Sequence, residues 1–158
     1  MVKDVAYLNR IRGIANYQFP ENIGQVFFPD ETEISLSKRT GRIRHIYFNG
    51  MLLATLRPTD GLFSLTIDGA KRLRSLIGPS RLRVVVRGDV EEFAKEGRNI
   101  FARHVVSADA EIRPGEEAIV TSEKDEVLAV GRALLTGREM LSFKRGVAVK
   151  TRRGVDKT

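Results

Sequence analysis

The chain has 158 residues, of which 42% are hydrophobic and 30% are charged, the balance of a folded globular protein rather than of a disordered segment. It carries 27 Lys and Arg residues against 20 Asp and Glu residues, a net charge of +7. Nineteen of the basic residues are Arg, whose guanidinium groups bind phosphates through paired hydrogen bonds. The surplus therefore favours a polyanionic partner, most simply a nucleic acid.

Composition also excludes several classes of site and of location. With no Cys there is no disulfide, no thiolate nucleophile and no Cys-ligated zinc site. No apolar run approaches the roughly 18 residues of a membrane span, and the first ten residues lack the apolar segment of a signal peptide. We therefore expect a cytoplasmic protein that contacts no membrane and holds no cofactor or metal.

The first half of the chain opens with a predicted helix and continues as strands. In KDVAYLNRIRGIANYQF, Val5, Leu8, Ile11 and Ala15 share one helical face, and Asp4 is placed to cap it. EISLS predicts a short strand, and TGRIRHIYFNGMLLATLRP predicts a hairpin that turns at Asn49-Gly50, the pair that a type I′ turn favours.

A third strand, a helix and a domain boundary complete this half. DGLFSLTI predicts the strand, and AKRLRSLIG predicts the helix, with Gly78 as its C-terminal cap. Gly78-Pro79-Ser80 is the best boundary, because Gly and Pro punctuate structure most strongly. We place a small N-terminal α/β domain at 1–79 and a second domain at 80–155.

The second half predicts many short strands with only brief helices, which indicates a partly closed β-barrel and an α+β fold class. Asp89 with Glu92, and Thr136 with Glu139, have the spacing of helix-capping boxes. The predicted elements are, in order, the strand RLRVVVRG, the helix DVEEFAKEG, the extended segment RNIFARHVVSAD, the strands EEAIVTS and DEVLAVGRALL, the helix TGREMLSFKRG and the strand GVAVKTRR.

The sequence gives little indication of a catalytic site. The sequence contains no GxxxxGK[ST], GxGxxG or HExxH motif. His45 and His104 fall in predicted strands, where a histidine more often packs than acts as a general base. Ser64 or Ser107 could be paired with a histidine, but neither has a nucleophile-elbow context. We expect no catalytic residue, and a small enzyme with an unrecognised site stays as a minor alternative.

Basic residues form two candidate nucleic-acid patches. The first lies near the C-terminus and comprises Lys144, Arg145, Lys150, Arg152 and Arg153. Along GVAVKTRR, strand alternation predicts Val147 and Val149 on the core face, with Ala148, Lys150 and Arg152 on the other. The same pattern also fits a solvated edge strand that charge protects from aggregation.

The second patch follows a predicted helix and comprises Gly97, Arg98 and Asn99, with Lys95 nearby. A glycine at a helix end commonly serves only as a left-handed cap, but it also lets a nucleic-acid backbone approach closely. A third basic group, Lys38, Arg39, Arg42 and Arg44, is interpreted as a solvated loop or a secondary contact.

Two segments of the sequence resemble domains of known families. The segment from DVEEFAKEGRNIFAR to EMLSFKRGVAVKTRRG resembles a PUA domain from end to end. The preceding SKRTGRIRHIYFNGMLLATLRPTDGLFSLTIDGAKRL looks like the small domain before the PUA module of archaeal tRNA-guanine (archaeosine) transglycosylases. The resemblance implies a PUA-type β pseudo-barrel with two short helices that binds structured RNA, here most simply the acceptor end of a tRNA.

Family positions that face RNA map onto both patches: Gly97, Arg98, Asn99, Lys144, Arg145, Lys150 and Arg152. The transglycosylase barrel, its catalytic carboxylates in their context and its zinc ligands have no counterpart in this chain. The resemblance thus implies an RNA-binding module without catalysis of its own. The alternative is a non-catalytic subunit of a tRNA-modifying or translation-related complex, which docks a protein partner through its N-terminal domain.

Overall fold

The computed structural model describes residues 1–157 and divides the chain into two compact units, Met1–Ile77 (unit 1) and a second that begins at Gly78 (unit 2). Unit 1 combines three α-helices and a 3-10 turn over Pro20–Asn22 with a four-stranded antiparallel sheet of order β1-β2-β3-β4. Its elements are α1 (Val5–Gln18), α2 (Gly24–Phe27), β1 (Glu33–Leu36), β2 (Ile43–Phe48), β3 (Met51–Leu56), β4 (Phe63–Leu65) and α3 (Ile67–Leu76).

The helix α1 and the β2–β3 hairpin form as the local sequence predicted. The Asp4 carboxylate accepts hydrogen bonds from the first turn of α1, whose Leu8, Ile11 and Ala15 are buried. The prediction for Val5 is wrong, since this residue lies in the first turn beside the solvated cap and is exposed. At the hairpin turn, Asn49 and Gly50 have φ values of 50° and 76°, the left-handed conformations that a type I′ turn requires.

The helix α3 begins earlier than predicted and ends differently. The Thr66 hydroxyl accepts a hydrogen bond from the Gly69 N–H at 2.9 Å, so this side chain caps the helix start. The predicted cap at Gly78 is wrong. The helix ends at Leu76, and the extended residue Ile77 that follows donates its N–H to the Leu73 carbonyl.

Unit 2 is built on a six-stranded sheet of order β6-β10-β9-β8-β5-β7, which forms a nearly closed β pseudo-barrel of the α+β class. Only β5 and β8 are parallel; the other neighbours are antiparallel. The elements are β5 (Arg83–Val86), α4 (Glu91–Lys95), β6 (Ile100–Phe101), β7 (Val105–Ala108), β8 (Glu117–Thr121), β9 (Val127–Ala133), α5 (Gly137–Ser142) and β10 (Val147–Gly154). Its core contains Val84, Val86, Leu128 and Val149.

The two predicted capping boxes have opposite outcomes. The box of α5 is present, with hydrogen bonds between Thr136 and Glu139 in both directions. The box of α4 is wrong, because a 3-10 turn over Gly88–Val90 precedes the helix. There the Asp89 carboxylate accepts from the Arg87 guanidinium at 3.1 Å, and this hydrogen bond lowers the pKa of Asp89.

Two further predictions about the strands are corrected. His104 lies in a 3-10 turn over Ala102–His104 rather than in a strand. In β10, Ala148 and Val149 are both buried, although alternation assigned them to opposite faces. The ladder between β10 and β6 shifts register between Val147 and Val149, and a bulge of this kind breaks the two-residue alternation.

Gly154, at the end of β10, lies against the C-terminal end of α4, and its replacement should be costly. A Cβ atom at Gly154 would stand 2.1 Å from the Lys95 carbonyl oxygen and 2.6 Å from the Gly97 nitrogen, both backbone atoms that cannot move freely. We expect Gly154→Ala to lower the free energy of unfolding by about 2 to 4 kcal/mol through this overpacking. Urea unfolding followed by circular dichroism measures the loss. Gly146→Ala is the control for added side-chain volume, because nothing lies near its Cβ position, and strain at its φ of 100° should cost only about 1 kcal/mol. Equal stability of Gly154→Ala and wild type would contradict the prediction.

Within residues 1–157, no helix has both the length and the apolar character to cross a membrane. The same residues contain no cluster of His, Asp and Glu suited to holding a metal ion.

Candidate nucleic-acid interface

The fold brings the two predicted patches of unit 2 together along β10. The Asn99 side-chain oxygen accepts a hydrogen bond from the Thr151 N–H at 3.1 Å, which joins the segment after α4 to the middle of β10. Ile100 and Phe101 of β6 then pair with the first half of β10. Patches that are about 50 residues apart in sequence thus form one surface.

Gly97 makes the turn between α4 and this surface. Its φ of 90° is in the left-handed region, and its N–H donates to the Ala94 carbonyl at 2.9 Å. The position is the left-handed helix end that the sequence predicted. Arg98 follows on the exposed side, where its guanidinium lies 3.2 Å from the Glu96 carboxylate.

Lys150 and Arg153 project from β10 as exposed cations, and neither has an acidic partner among the residues that the structure describes. Lys150 is directly opposite Arg132 of β9, which is also exposed, so the two side chains share one face of the sheet. Arg132 was missed at the sequence level. An arginine inside the otherwise apolar stretch VLAVGRA was the signal that could have identified it.

Lys144 and Arg145 lie at the other end of β10, in the exposed turn between α5 and the strand. Gly146 closes this turn with a φ of 100°, and its carbonyl accepts from the Ala102 N–H at 2.9 Å. Neither cation has an acidic partner within residues 1–157. They therefore extend the positive surface beyond the start of β10.

Arg152 differs from its neighbours because it is already engaged. Its guanidinium makes two hydrogen bonds with the carboxylate of Glu117, one of them over 3.2 Å between Nη1 and Oε2. The Glu117 side chain is 1% exposed, whereas that of Arg152 is 32% exposed. A buried carboxylate is costly without a cation, so Arg152 has a structural role. Its contact with RNA stays a prediction.

A cleft of about 580 Å³ lies beside the joined patches, lined in part by Gly97, Arg98 and Asn99. Phe93 and Phe101 line it too, and they are 46% and 42% exposed. We call this site the aromatic cleft. Two exposed phenylalanines in one cleft are unusual on a surface without a partner.

An arginine guanidinium lies over each exposed phenylalanine ring of the aromatic cleft. The Arg98 Cζ lies 4.9 Å from the centre of the Phe93 ring, and the Arg103 Cζ lies 5.6 Å from that of Phe101. Both distances are within the range of cation–π attraction. Phe93, Phe101 and Arg103 were missed at the sequence level, because their exposure depends on how the barrel packs.

His104 also lines the aromatic cleft, in edge contact with Phe101 at 6.2 Å between ring centres. Burial and the nearby Arg103 and Arg87 lower the pKa of His104, so the neutral ring is favoured, and its Nε2 accepts from Arg103 at 3.3 Å. His45 in unit 1 is bonded to the Thr55 hydroxyl at 3.2 Å, and burial and Arg44 lower its pKa. In these contacts neither histidine pairs with Ser64 or Ser107, the two serines considered as nucleophiles, although Thr55 presents its hydroxyl to His45.

The two units correspond to two known domains. Residues 9–79 match the patch-forming domain C2 of tRNA-guanine transglycosylase. Residues 82–155 match the PUA domain, which is an RNA-binding module.

Curated relatives are much longer than this chain. The tRNA-guanine(15) transglycosylase of Pyrococcus furiosus is 49% identical over 146 residues, which are 92% of this chain and 24% of the relative. That of Methanothermobacter thermautotrophicus is 41% identical over 147 residues, or 93% and 22%. The chain thus spans about a quarter of the length of the curated relatives that it matches, and corresponds to their C-terminal part.

Among solved structures, a hypothetical protein of Pyrococcus horikoshii matches all of this chain and 94% of its own, with a TM-score of 0.77 and 23% identity. At this identity the likeness concerns the fold alone. The domain matches and the curated relatives show that the chain combines regions similar to a tRNA-guanine transglycosylase C2 domain and to a PUA domain, and that it is similar to the C-terminal part of the tRNA-guanine(15) transglycosylases.

Proposed function

We propose that this protein binds RNA, most simply a tRNA at its acceptor end, and performs no catalysis of its own. The observation that carries the proposal is that unpaired cations on β10 adjoin the aromatic cleft. Cations supply affinity for phosphates, and exposed rings supply stacking for unpaired bases, so the surface offers both parts of single-strand recognition.

The exposed cations of unit 2 are expected to contribute most of the affinity for RNA. Lys144, Arg145, Lys150 and Arg153 are exposed and lack acidic partners in the described part of the chain, so a phosphate would not have to displace an existing ion pair. Each phosphate contact releases condensed counterions, and affinity should fall steeply with salt, with a log–log slope of about −0.7 to −0.9 for each contact. A gel-shift titration of tRNA at several salt concentrations tests the proposal directly.

The aromatic cleft supports an end rather than a duplex as its ligand. Bases within a duplex are stacked on one another, whereas a single-stranded end can place bases against Phe93 or Phe101. Gly97 has no side chain and so leaves room for a ribose-phosphate backbone beside the cleft. A tRNA ends in such a single strand next to a helical stem, which fits the two halves of the surface.

Removing both rings should weaken binding without removing charge. We expect Phe93→Ala/Phe101→Ala to bind tRNA about 10- to 100-fold more weakly, because stacking contributes about 1 to 3 kcal/mol for each base. The salt slope should not change, since no phosphate contact is lost. Tyr17→Ala is the control, because it removes the most exposed aromatic side chain of unit 1. Equal affinities of the double variant and the control would contradict the stacking role.

A second candidate is that unit 1 docks a protein partner, such as a catalytic subunit of a tRNA-modifying or translation-related complex. Large apolar side chains on α1 and α2 favour it, since Val5, Tyr17 and Val26 are all more than half exposed. Tyr17 is the most exposed of the three, at 84%. Purification from native extract distinguishes the candidates, because recovery of tRNA with no stoichiometric protein would count against docking.

A further inference from the structure

We infer that unit 1 has a phosphate-binding site of its own, a cleft between two turns at one end of its sheet that holds the backbone of the RNA. The inference rests on the proposed RNA-binding function and adds a second contact to it. The cleft has a volume of about 510 Å³ and is lined by residues of the β1–β2 turn and of the β3–β4 turn. We call it the unit 1 cleft.

The two turns have the same construction and lie at the same end of the sheet. In the first, the Ser37 N–H donates to the Arg42 carbonyl and the Gly41 N–H to the Ser37 carbonyl. In the second, Arg57 and Leu62 form the closing pair, and the Gly61 N–H donates to the Arg57 carbonyl. Gly41 and Gly61 both have a φ of 72°. Because the strands are antiparallel, these two turns stand side by side, opposite the Asn49-Gly50 turn.

Charge is concentrated at the unit 1 cleft and is not neutralised there. The 26 residues between Glu33 and Asp60 include no acidic residue and five basic ones: Lys38, Arg39, Arg42, Arg44 and Arg57. Arg57 is paired with Asp60 through two hydrogen bonds of 3.0 and 2.9 Å. The other four have no acidic partner among residues 1–157.

These four cations equal the whole net charge of unit 1. Residues 1–77 contain 11 basic and 7 acidic residues, a net charge of +4. The pKa of His45 is lowered first by the burial of its ring and second by the positive charge of Arg44. The effect of Arg44 is a second sign that the positive charge of this region is not compensated. Like charges within a Debye length of about 10 Å repel one another, so the arrangement has a cost that a bound anion would offset.

The chemistry of the site fits phosphodiester groups. Three guanidinium groups, those of Arg39, Arg42 and Arg44, can each present paired N–H donors to phosphate oxygens. Arg39, Arg42 and Arg44 all line the cleft, and Arg39 and Arg42 are exposed. No aromatic side chain lines it, so the site would hold the backbone rather than read bases.

The test uses the full chain and a tRNA transcript. Arg39→Glu/Arg42→Glu should lower the affinity about 10-fold or more and reduce the magnitude of the log–log salt slope by about 1.4 to 1.8, as expected for two lost contacts. Neither side chain makes a hydrogen bond or an ion pair within the described residues, so the fold should be retained. Arg39→Lys/Arg42→Lys keeps the charge and should keep most of the slope.

The matched control is Arg10→Glu/Lys71→Glu, which makes the same change in charge at exposed positions on α1 and α3. Identical slopes for the cleft variant and this control would overturn the inference, whereas a loss confined to the cleft variant supports it. Failure of the proposed function has a different signature. In that case wild type binds no tRNA, or reversal of Lys150 and Arg153 in unit 2 leaves binding unchanged.

Discussion

Lys150→Glu/Arg153→Glu should bind tRNA about 100-fold more weakly than wild type near 0.1 M salt, because two phosphate contacts become two repulsions. The two side chains are exposed on β10 and have no acidic partner within the described residues, so the change should not disturb packing. The loss should be accompanied by a salt slope that is shallower by about 1.4 to 1.8. Fluorescence anisotropy with end-labelled tRNA measures both quantities.

The choice of Arg153 rather than Arg152 follows from the structure. Strand alternation alone suggests reversing Lys150 with Arg152 and expects the fold to survive. Arg152→Glu would instead place a second carboxylate against the buried Glu117, and the loss of RNA binding would then have two causes. Lys124→Glu/Arg138→Glu makes the same change in charge at exposed positions elsewhere in unit 2. If this control loses as much affinity as the β10 variant, the β10 surface is not the RNA site.

Sequence predicted best those features that depend on residues close together in the chain. The turn at Asn49-Gly50, the cap at Asp4 and the box between Thr136 and Glu139 are each decided within four residues. The capping box predicted at Asp89 is absent for a reason that is equally local in the sequence. Arg87, two residues earlier, binds the carboxylate that a cap would have used.

Features that depend on long-range pairing could not be predicted in this way. In the sequence, Glu117 stands two residues after Pro114-Gly115, where a carboxylate is expected to be solvated. Only the barrel reveals that it is buried against a residue 35 positions away. The bulges of β10 likewise depend on which strands flank it, so alternation misassigned Ala148. The exposed faces of Phe93 and Phe101 have no sequence signal of their own, because both residues occur in segments that otherwise supply the core.

The resemblance and the charge pattern selected the same two patches of the candidate site in unit 2. Charge and spacing selected the two patches of unit 2, and the side-chain contact between Asn99 and Thr151 shows why residues so far apart share one surface. The same reasoning left the basic turn of unit 1 as either a solvated loop or a secondary contact. Its distinguishing property is the absence of acids across 26 residues, which becomes informative once the β3–β4 turn is known to stand beside it.

Arg152→Ala should lower the free energy of unfolding by about 2 to 3 kcal/mol. Breaking a fully buried ion pair costs about 3 to 5 kcal/mol, and the value is reduced here because the Arg152 side chain is partly exposed while Glu117 is not. Arg153→Ala is the adjacent control and should change stability by less than about 0.5 kcal/mol, since this exposed residue has no partner in the described part of the chain. Urea unfolding followed by circular dichroism measures the difference, and hydrogen exchange of β8, β9 and β10 assigns it to unit 2.

A double-mutant cycle with Glu117→Gln separates the charge pair from simple packing. In the Glu117→Gln background, Arg152→Ala should cost less than about 1 kcal/mol, because no buried carboxylate is left without its cation. An undiminished cost in that background would contradict the role of the pair. The same background isolates any part that Arg152 has in RNA binding. If Arg152→Ala lowers the affinity for tRNA further in the Glu117→Gln background while the protein stays folded, then this guanidinium contacts phosphate as well as Glu117.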